Sequence, residues 1–158
     1  MKNKKILIVG LGNILLSDEG LGVKVIKELE EEIVFPKEVE ILDGGTGAFF
    51  LIPHFEKADL LIIVDAIKTG EKPGSVIIES LENLSKATLE KISLHEIGLT
   101  DLLKILELKG KTFEKIIIAG IEPKTFEVGT ELSEEVKKNF PLLKKKILEI
   151  LRDWGIKI

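Results

Sequence analysis

The sequence predicts an α/β domain of three layers, in which helices flank both faces of a twisted, mostly parallel five-stranded sheet. Two observations lead there. Short apolar runs alternate with segments whose apolar residues recur at spacings of three and four, the alternation that builds layered α/β domains. The run Leu60-Leu61-Ile62-Ile63-Val64 is apolar at every position, and only a sheet covered on both faces buries both sides of such a strand.

The five predicted strands are Lys4 to Val9, Val39 to Leu42, Leu60 to Val64, Val76 to Glu79 and Lys115 to Ala119. Helical periodicity links Val23, Ile26, Leu29 and Ile33, and again Val136, Phe140, Leu143, Ile147 and Leu151. Thr100 is placed to cap a helix carrying Leu102, Leu103, Ile105 and Leu106 that stops at Gly110. Gly155 follows the last helix, and Pro141 predicts a break or kink inside it. One domain is expected over residues 1–158, without repeat, low-complexity tract or linker.

Composition narrows the function classes. Charged residues are 32% of the chain, yet the net charge is only -4, so no basic field exists to hold nucleic acid or anionic lipid. No apolar run approaches the roughly 20 residues that span a bilayer, and the chain opens directly into a strand. A soluble, cytoplasmic protein is expected. There is no cysteine, which removes thiolate zinc sites and a thiol nucleophile. No serine stands in a G-x-S-x-G elbow either. Hydrolysis by this chain would therefore use water.

In open sheets of this class, ligands bind where loops converge beyond the carboxyl ends of the strands. The first strand delivers Gly10 to Glu19, the second Asp43-Gly44-Gly45-Thr46, the third Asp65 and the fifth Gly120-Ile121-Glu122-Pro123. Gly10-Leu11-Gly12 before a helix, with Asp43 at the second strand's end, has the outline of a dinucleotide loop. Leu15 stands where its third glycine belongs, and Asp18 and Glu19 would face a pyrophosphate with like charge. The dinucleotide reading is disfavoured. Asp18 is instead expected to be a helix N-cap, which leaves Glu19 available.

Asp65 emerges from an apolar strand at the carboxyl edge, where a solvated loop acid is the plain reading. His95 lies in a turn leading into a helix; Leu99 occupies the place of a zincin motif's second histidine. His54 reads as a surface side chain. Glu19, Asp65 and His95 together offer two carboxylates and one imidazole, a set suited to a divalent transition metal with coordination positions left open. They are far apart in sequence, so spacing does not select them.

The segment Gly10-Leu11-Gly12-Asn13-Ile14-Leu15-Leu16-Ser17-Asp18-Glu19-Gly20-Leu21-Gly22 resembles the opening signature of the hydrogenase maturation proteases almost residue for residue. Asp43-Gly44-Gly45-Thr46, Val64-Asp65-Ala66, His95-Glu96-Ile97-Gly98-Leu99 and Gly120-Ile121-Glu122-Pro123 follow in that family's order. The segment Gly47-Ala48-Phe49-Phe50 departs from it, where bulkier aliphatics near Gly47 are expected.

The resemblance implies a phosphorylase/hydrolase-like sheet between helices. It also implies an endopeptidase that removes a short C-terminal extension from the nickel-iron hydrogenase large-subunit precursor once nickel is inserted. Carried over by position, the metal contacts fall on Glu19, Asp65 and His95, with the nickel brought by the substrate. Asp43 becomes a candidate for water activation or substrate contact, and Gly10, Gly12, Asn13, Gly44, Gly45 and Thr46 candidates for substrate binding. Two alternatives stand beside this. A Gly-x-Gly-Asn loop after the first strand is also similar to peptidyl-tRNA hydrolase, although that enzyme's histidine-bearing continuation is absent and the acidic charge disfavours tRNA. A non-catalytic metal- or nucleotide-binding module could share the fold.

Overall fold

The computed structural model describes residues 4–47, 49–92 and 98–158. Its elements, in chain order, are β1 (Ile6–Leu11), α1 (Leu21–Glu32), β2 (Val39–Gly45), α2 (Ile52–Lys57), β3 (Leu60–Ala66), β4 (Val76–Ser80), α3 (Lys86–Glu90), α4 (Leu99–Leu108), β5 (Lys115–Ile121) and α5 (Glu134–Asp153). The strands form one sheet in the order β2-β1-β3-β5-β4. Neighbours run parallel except β4, which pairs antiparallel with β5 at the edge.

The period-two alternation of a strand divides β1 and β3 between two cores. Ile6, Ile8, Leu60, Ile62 and Val64 join Val25, Ile26, Val136, Leu143 and Ile147 beneath α1 and α5. Leu7, Val9, Leu61 and Ile63 join Phe55, Leu99, Leu102 and Leu106 beneath α2 and α4. All three layers expected from the sequence are present.

Strands β1, β2, β3 and β5 continue two or three residues past their predicted ends, because backbone pairing persists where apolar side chains stop. Gly10 pairs with Asp43, and Asp65 with Gly120. Residues expected in loops are thus the final rungs of the sheet.

Three local expectations are corrected. Helix α4 starts at Leu99 with Gly98 at its cap and no side-chain cap, so Thr100 lies inside the first turn. The fully buried Leu99 opens the stripe continued by Leu102 and Leu106, and its burial brings the helix start forward. Helix α5 runs through Pro141 without ending. Pro141 and Lys137 are both exposed, so the carbonyl deprived of its helical donor is open to water, while Phe140 and Leu143 hold the helix to the sheet. Asp18 is not an N-cap, since α1 begins after Gly20 without a side-chain cap.

Helix α1 starts in close contact with the sheet. A Cβ at Gly22 would lie 2.2 Å from the Val64 carbonyl oxygen and 2.5 Å from that of Leu11, and one at Gly10 would lie 2.3 Å from the carbonyl oxygen of Gly22. Farther along, the Lys144 amine binds Glu28 and Glu32 at 2.8 and 2.9 Å and ties α5 to α1.

Burial of the Lys144 amine opposes its charge, but the hydrogen bonds it donates to Glu28 and Glu32 outweigh this and hold its pKa above the ordinary 10.5. A raised lysine pKa contributes stability that is fully present below 10.5 and is lost as pH rises through the folded value. Lys144→Gln should therefore shrink the alkaline loss of stability above that pH, read as the urea midpoint against pH. Gly22→Ala should cost about 3 kcal/mol, because the added methyl meets backbone that cannot turn aside; a urea midpoint close to the parent's would refute the close approach.

Candidate functional site

Four strand ends deliver the site. At the end of β1 the chain turns through Gly12, whose φ of +124° suits glycine. A Cβ there would lie 1.8 Å from the Glu19 carbonyl oxygen and 3.4 Å from Asp65 Oδ1. The Gly12 turn, the Glu19 backbone and the Asp65 carboxylate are thus packed at one point. Asp65 is fully buried on β3, and its Oδ1 accepts the Ala66 N–H at 2.8 Å.

The turn carrying Glu19 is a single 3-10 turn, Ser17–Gly20, in which Ser17, Asp18 and Gly20 are buried. Glu19 alone of the four is partly exposed. The two adjacent acids therefore point to opposite fates. Asp18 is enclosed and accepts hydrogen bonds from the amides of Lys124, Thr125 and Ser133 and from the Ser133 hydroxyl. That demand for acceptors explains why Asp18 does not cap α1.

His95 falls within residues 93–97, outside the described residues. Ile92 and, one residue beyond the described Gly98, Leu99 belong to the same apolar cluster as Leu61 and Ile63, the strand face that Asp65 continues by parity. Among the described residues no three His, Cys, Asp or Glu side chains converge on a metal position, and the expected set needs His95.

Asp43 is exposed at the end of β2, with Oδ1 accepting the Gly45 N–H at 3.0 Å. It lines a hollow of about 210 Å³ with Gly12, Asn13, Ile14, Val23, Gly45 and Thr46. Gly12, Asn13, Gly45 and Thr46 thus meet around one hollow. Gly10 and Gly44 do not. Both are buried and fitted against neighbours: a Cβ at Gly44 would press on Val9 Cγ2 at 2.7 Å. The Gly12 amide is donated to the Gly45 carbonyl at 2.9 Å, and Asn13 Oδ1 accepts the Leu15 amide at 2.9 Å, which shapes the loop locally. Ile14 in this lining is exposed, as are Leu15, Phe49 and Phe50 of the same two chain segments.

Larger hollows lie elsewhere, one of about 580 Å³ between β4 and α5 and one of about 560 Å³ at the amino-terminal edge around His54. His54 Nδ1 lies 2.7 Å from Glu40 Oε2, at the opposite edge of the sheet from the strand ends that carry Asp43 and Asp65.

Two side chains missed by the sequence reading organise this edge. Besides Asp18, the buried Glu122 accepts the Thr69 amide and hydroxyl at 2.8 and 2.7 Å and the Glu71 amide at 3.2 Å, holding the loop after β3. Ser133 ahead of Glu134 and Glu135 carried a legible capping signal, and its hydroxyl does accept from Val136. Nothing in the sequence pointed from Ser133 back to Asp18.

Comparison with known proteins bears on the family and the fold. The family model for hydrogenase maturation proteases matches residues 23–150. The hydrogenase 2 maturation protease of Escherichia coli (strain K12) is 36% identical over 153 residues, covering 96% of this chain and 93% of that protein. The solved structure of the hydrogenase maturating endopeptidase HybD from E. coli superposes with a TM-score of 0.88 over 97% of this chain and 95% of that one. The [NiFe] hydrogenase maturation protease HycI from Thermococcus kodakarensis KOD1, 30% identical, does so with a TM-score of 0.74 over 96% and 95%. On the family model and on relatives at least 30% identical over nearly its whole length, the chain belongs to the hydrogenase maturation protease family and is a peptidase.

Proposed function

We propose that the chain removes the C-terminal extension of a nickel-iron hydrogenase large-subunit precursor after nickel insertion, and that Glu19, Asp65 and His95 contact the nickel that the precursor carries. The observation that supports this most directly is the Gly12 turn, which packs the Glu19 backbone against Asp65 at the carboxyl edge of the sheet.

The donor chemistry fits a metal that arrives as cargo. Two carboxylates and one imidazole hold nickel less firmly than thiolates do, and the chain has no cysteine with which to compete for it. Contact with the enzyme then orients the precursor, and the metal stays with the substrate. Such positioning lowers the barrier by placing the scissile carbonyl beside the attacking water. Asp43, exposed in the hollow next to Gly12, is suited to take a proton from that water or to contact the substrate. The water oxygen adds to the carbonyl carbon, the C–N bond breaks, and the new amine leaves with a proton. Because the Gly12 amide is engaged by Gly45 and Gly10 and Leu11 pair within the sheet, stabilisation of the oxyanion falls to the Asn13 amide.

Incubation with nickel-loaded and nickel-free precursor, followed by mass spectrometry, should show loss of the extension only from the loaded form. Equal cleavage of both would refute recognition of nickel, and cleavage of neither would refute the processing reaction. Glu19→Ala, Asp65→Ala and His95→Ala should each abolish processing with the fold retained by circular dichroism. Retained processing in all three would sink the metal assignment. Gly12→Ala should slow processing as well, since its methyl would displace the Glu19 carbonyl; an unchanged rate would show that the close packing at Gly12 is dispensable.

A further inference from the structure

No step of the hydrolysis uses Asp18, yet its carboxylate is entirely enclosed. Oδ2 accepts the amides of Lys124 at 2.9 Å and Thr125 at 3.2 Å and the Ser133 hydroxyl at 2.8 Å. Oδ1 accepts the Ser133 amide at 2.7 Å. Enclosing a carboxylate is costly unless hydrogen-bond donors replace its water, and here the 124–133 segment supplies four.

The same segment grips the turn along its backbone. The Ser17 amide donates to Gly129 at 2.8 Å, the Asp18 amide to Thr125 at 3.2 Å, and the Gly129 amide to Leu15 at 2.9 Å. Ser17 has a φ of +52°, the sole non-glycine positive φ among the described residues. A serine stays in that sparsely populated region only when its surroundings over-determine it. Its hydroxyl donates to the Glu127 carbonyl at 2.6 Å. On the other side the turn rests against Gly12, where even one methyl would not fit.

We propose that Asp18 is a positioning residue for the processing reaction: by gathering these donors onto one carboxylate it locks the Ser17–Gly20 turn and aims the neighbouring Glu19 into the cleft beside Asp65. The proposal rests on the reading of Glu19 as a contact for the precursor's metal. Ser133 extends the lock, because the hydroxyl that donates to Asp18 also accepts the Val136 amide at 3.4 Å and so caps α5.

The position requires a carboxylate. All four partners are donors, and an asparagine presents one oxygen and one NH2 group. Whichever way it turns, a donor meets a donor.

The test compares Asp18→Asn with the remote core variant Ile147→Val or Ile147→Ala, chosen to match its loss of melting temperature. Processing of nickel-loaded precursor is measured where both are fully folded. Asp18→Asn should lower kcat roughly tenfold or more through misplacement of Glu19, while the matched control keeps the parental rate. Ser133→Ala should be slower than the parent, and Ser133→Thr, which restores a hydroxyl, should recover the rate. Equal rates for Asp18→Asn and its control would overturn the proposal.

If Asp18→Asn does not fold, the serine pair decides: Ser133→Ala slower than Ser133→Thr supports the lock, and equal rates overturn it. Glu19→Ala separates the two levels of the argument. Full activity in Glu19→Ala removes the underlying reading and the proposal with it, whereas an inactive Glu19→Ala beside a fully active Asp18→Asn overturns the proposal alone.

Discussion

The contact between the start of α1 and the sheet sets the rest of the site. Gly22 sits where the carbonyls of Val64 and Leu11 leave no room for a side chain, and Gly10 faces Gly22 in turn. A helix seated this deeply has a fixed starting point relative to β1 and β3. The chain must therefore leave β1, rise and enter the helix within the few residues from Gly12 to Gly20. Glu19 rides on that short span, so the place of its backbone beside Gly12 follows from the seating of the helix.

Adjacent residues of the same chemical type are sorted by this geometry. Asp18 turns inward to a cluster of amides, and Glu19 stays partly exposed. The electrostatics of the nearby loop are consistent with a held segment. Lys124 pairs with Glu135 in the first turn of α5; the hydrogen bond between them raises the Lys124 pKa and lowers that of Glu135. Acids at that helix end also favour the dipole.

The sheet was legible because its evidence is local. Each strand announced itself as an apolar run, and the fully apolar Leu60 to Val64 required cover on both faces. Strand ends were not legible, since Gly10, Asp43, Asp65 and Gly120 pair through backbone groups that no side-chain pattern reveals. Thr100 and Asp18 show the same limit for caps. Both have capping chemistry, but burial of Leu99 decided one case and donors more than 100 residues away decided the other. For the site, the family resemblance singled out Glu19 and Asp65, while the residues that hold the Glu19 turn in place are visible only once the chain is folded.

The bonds that fix the turn join residues 106 to 115 positions apart. Contacts of such separation form late, because a long loop must close before they offset its entropy. On the ribosome, the amides that receive Asp18 are synthesised after all five strands and every proposed metal contact. A growing chain can thus carry Glu19, Asp65 and His95, the proposed contacts, before the donors to Asp18 exist, and a truncated product ending before Ser133 lacks two of the four.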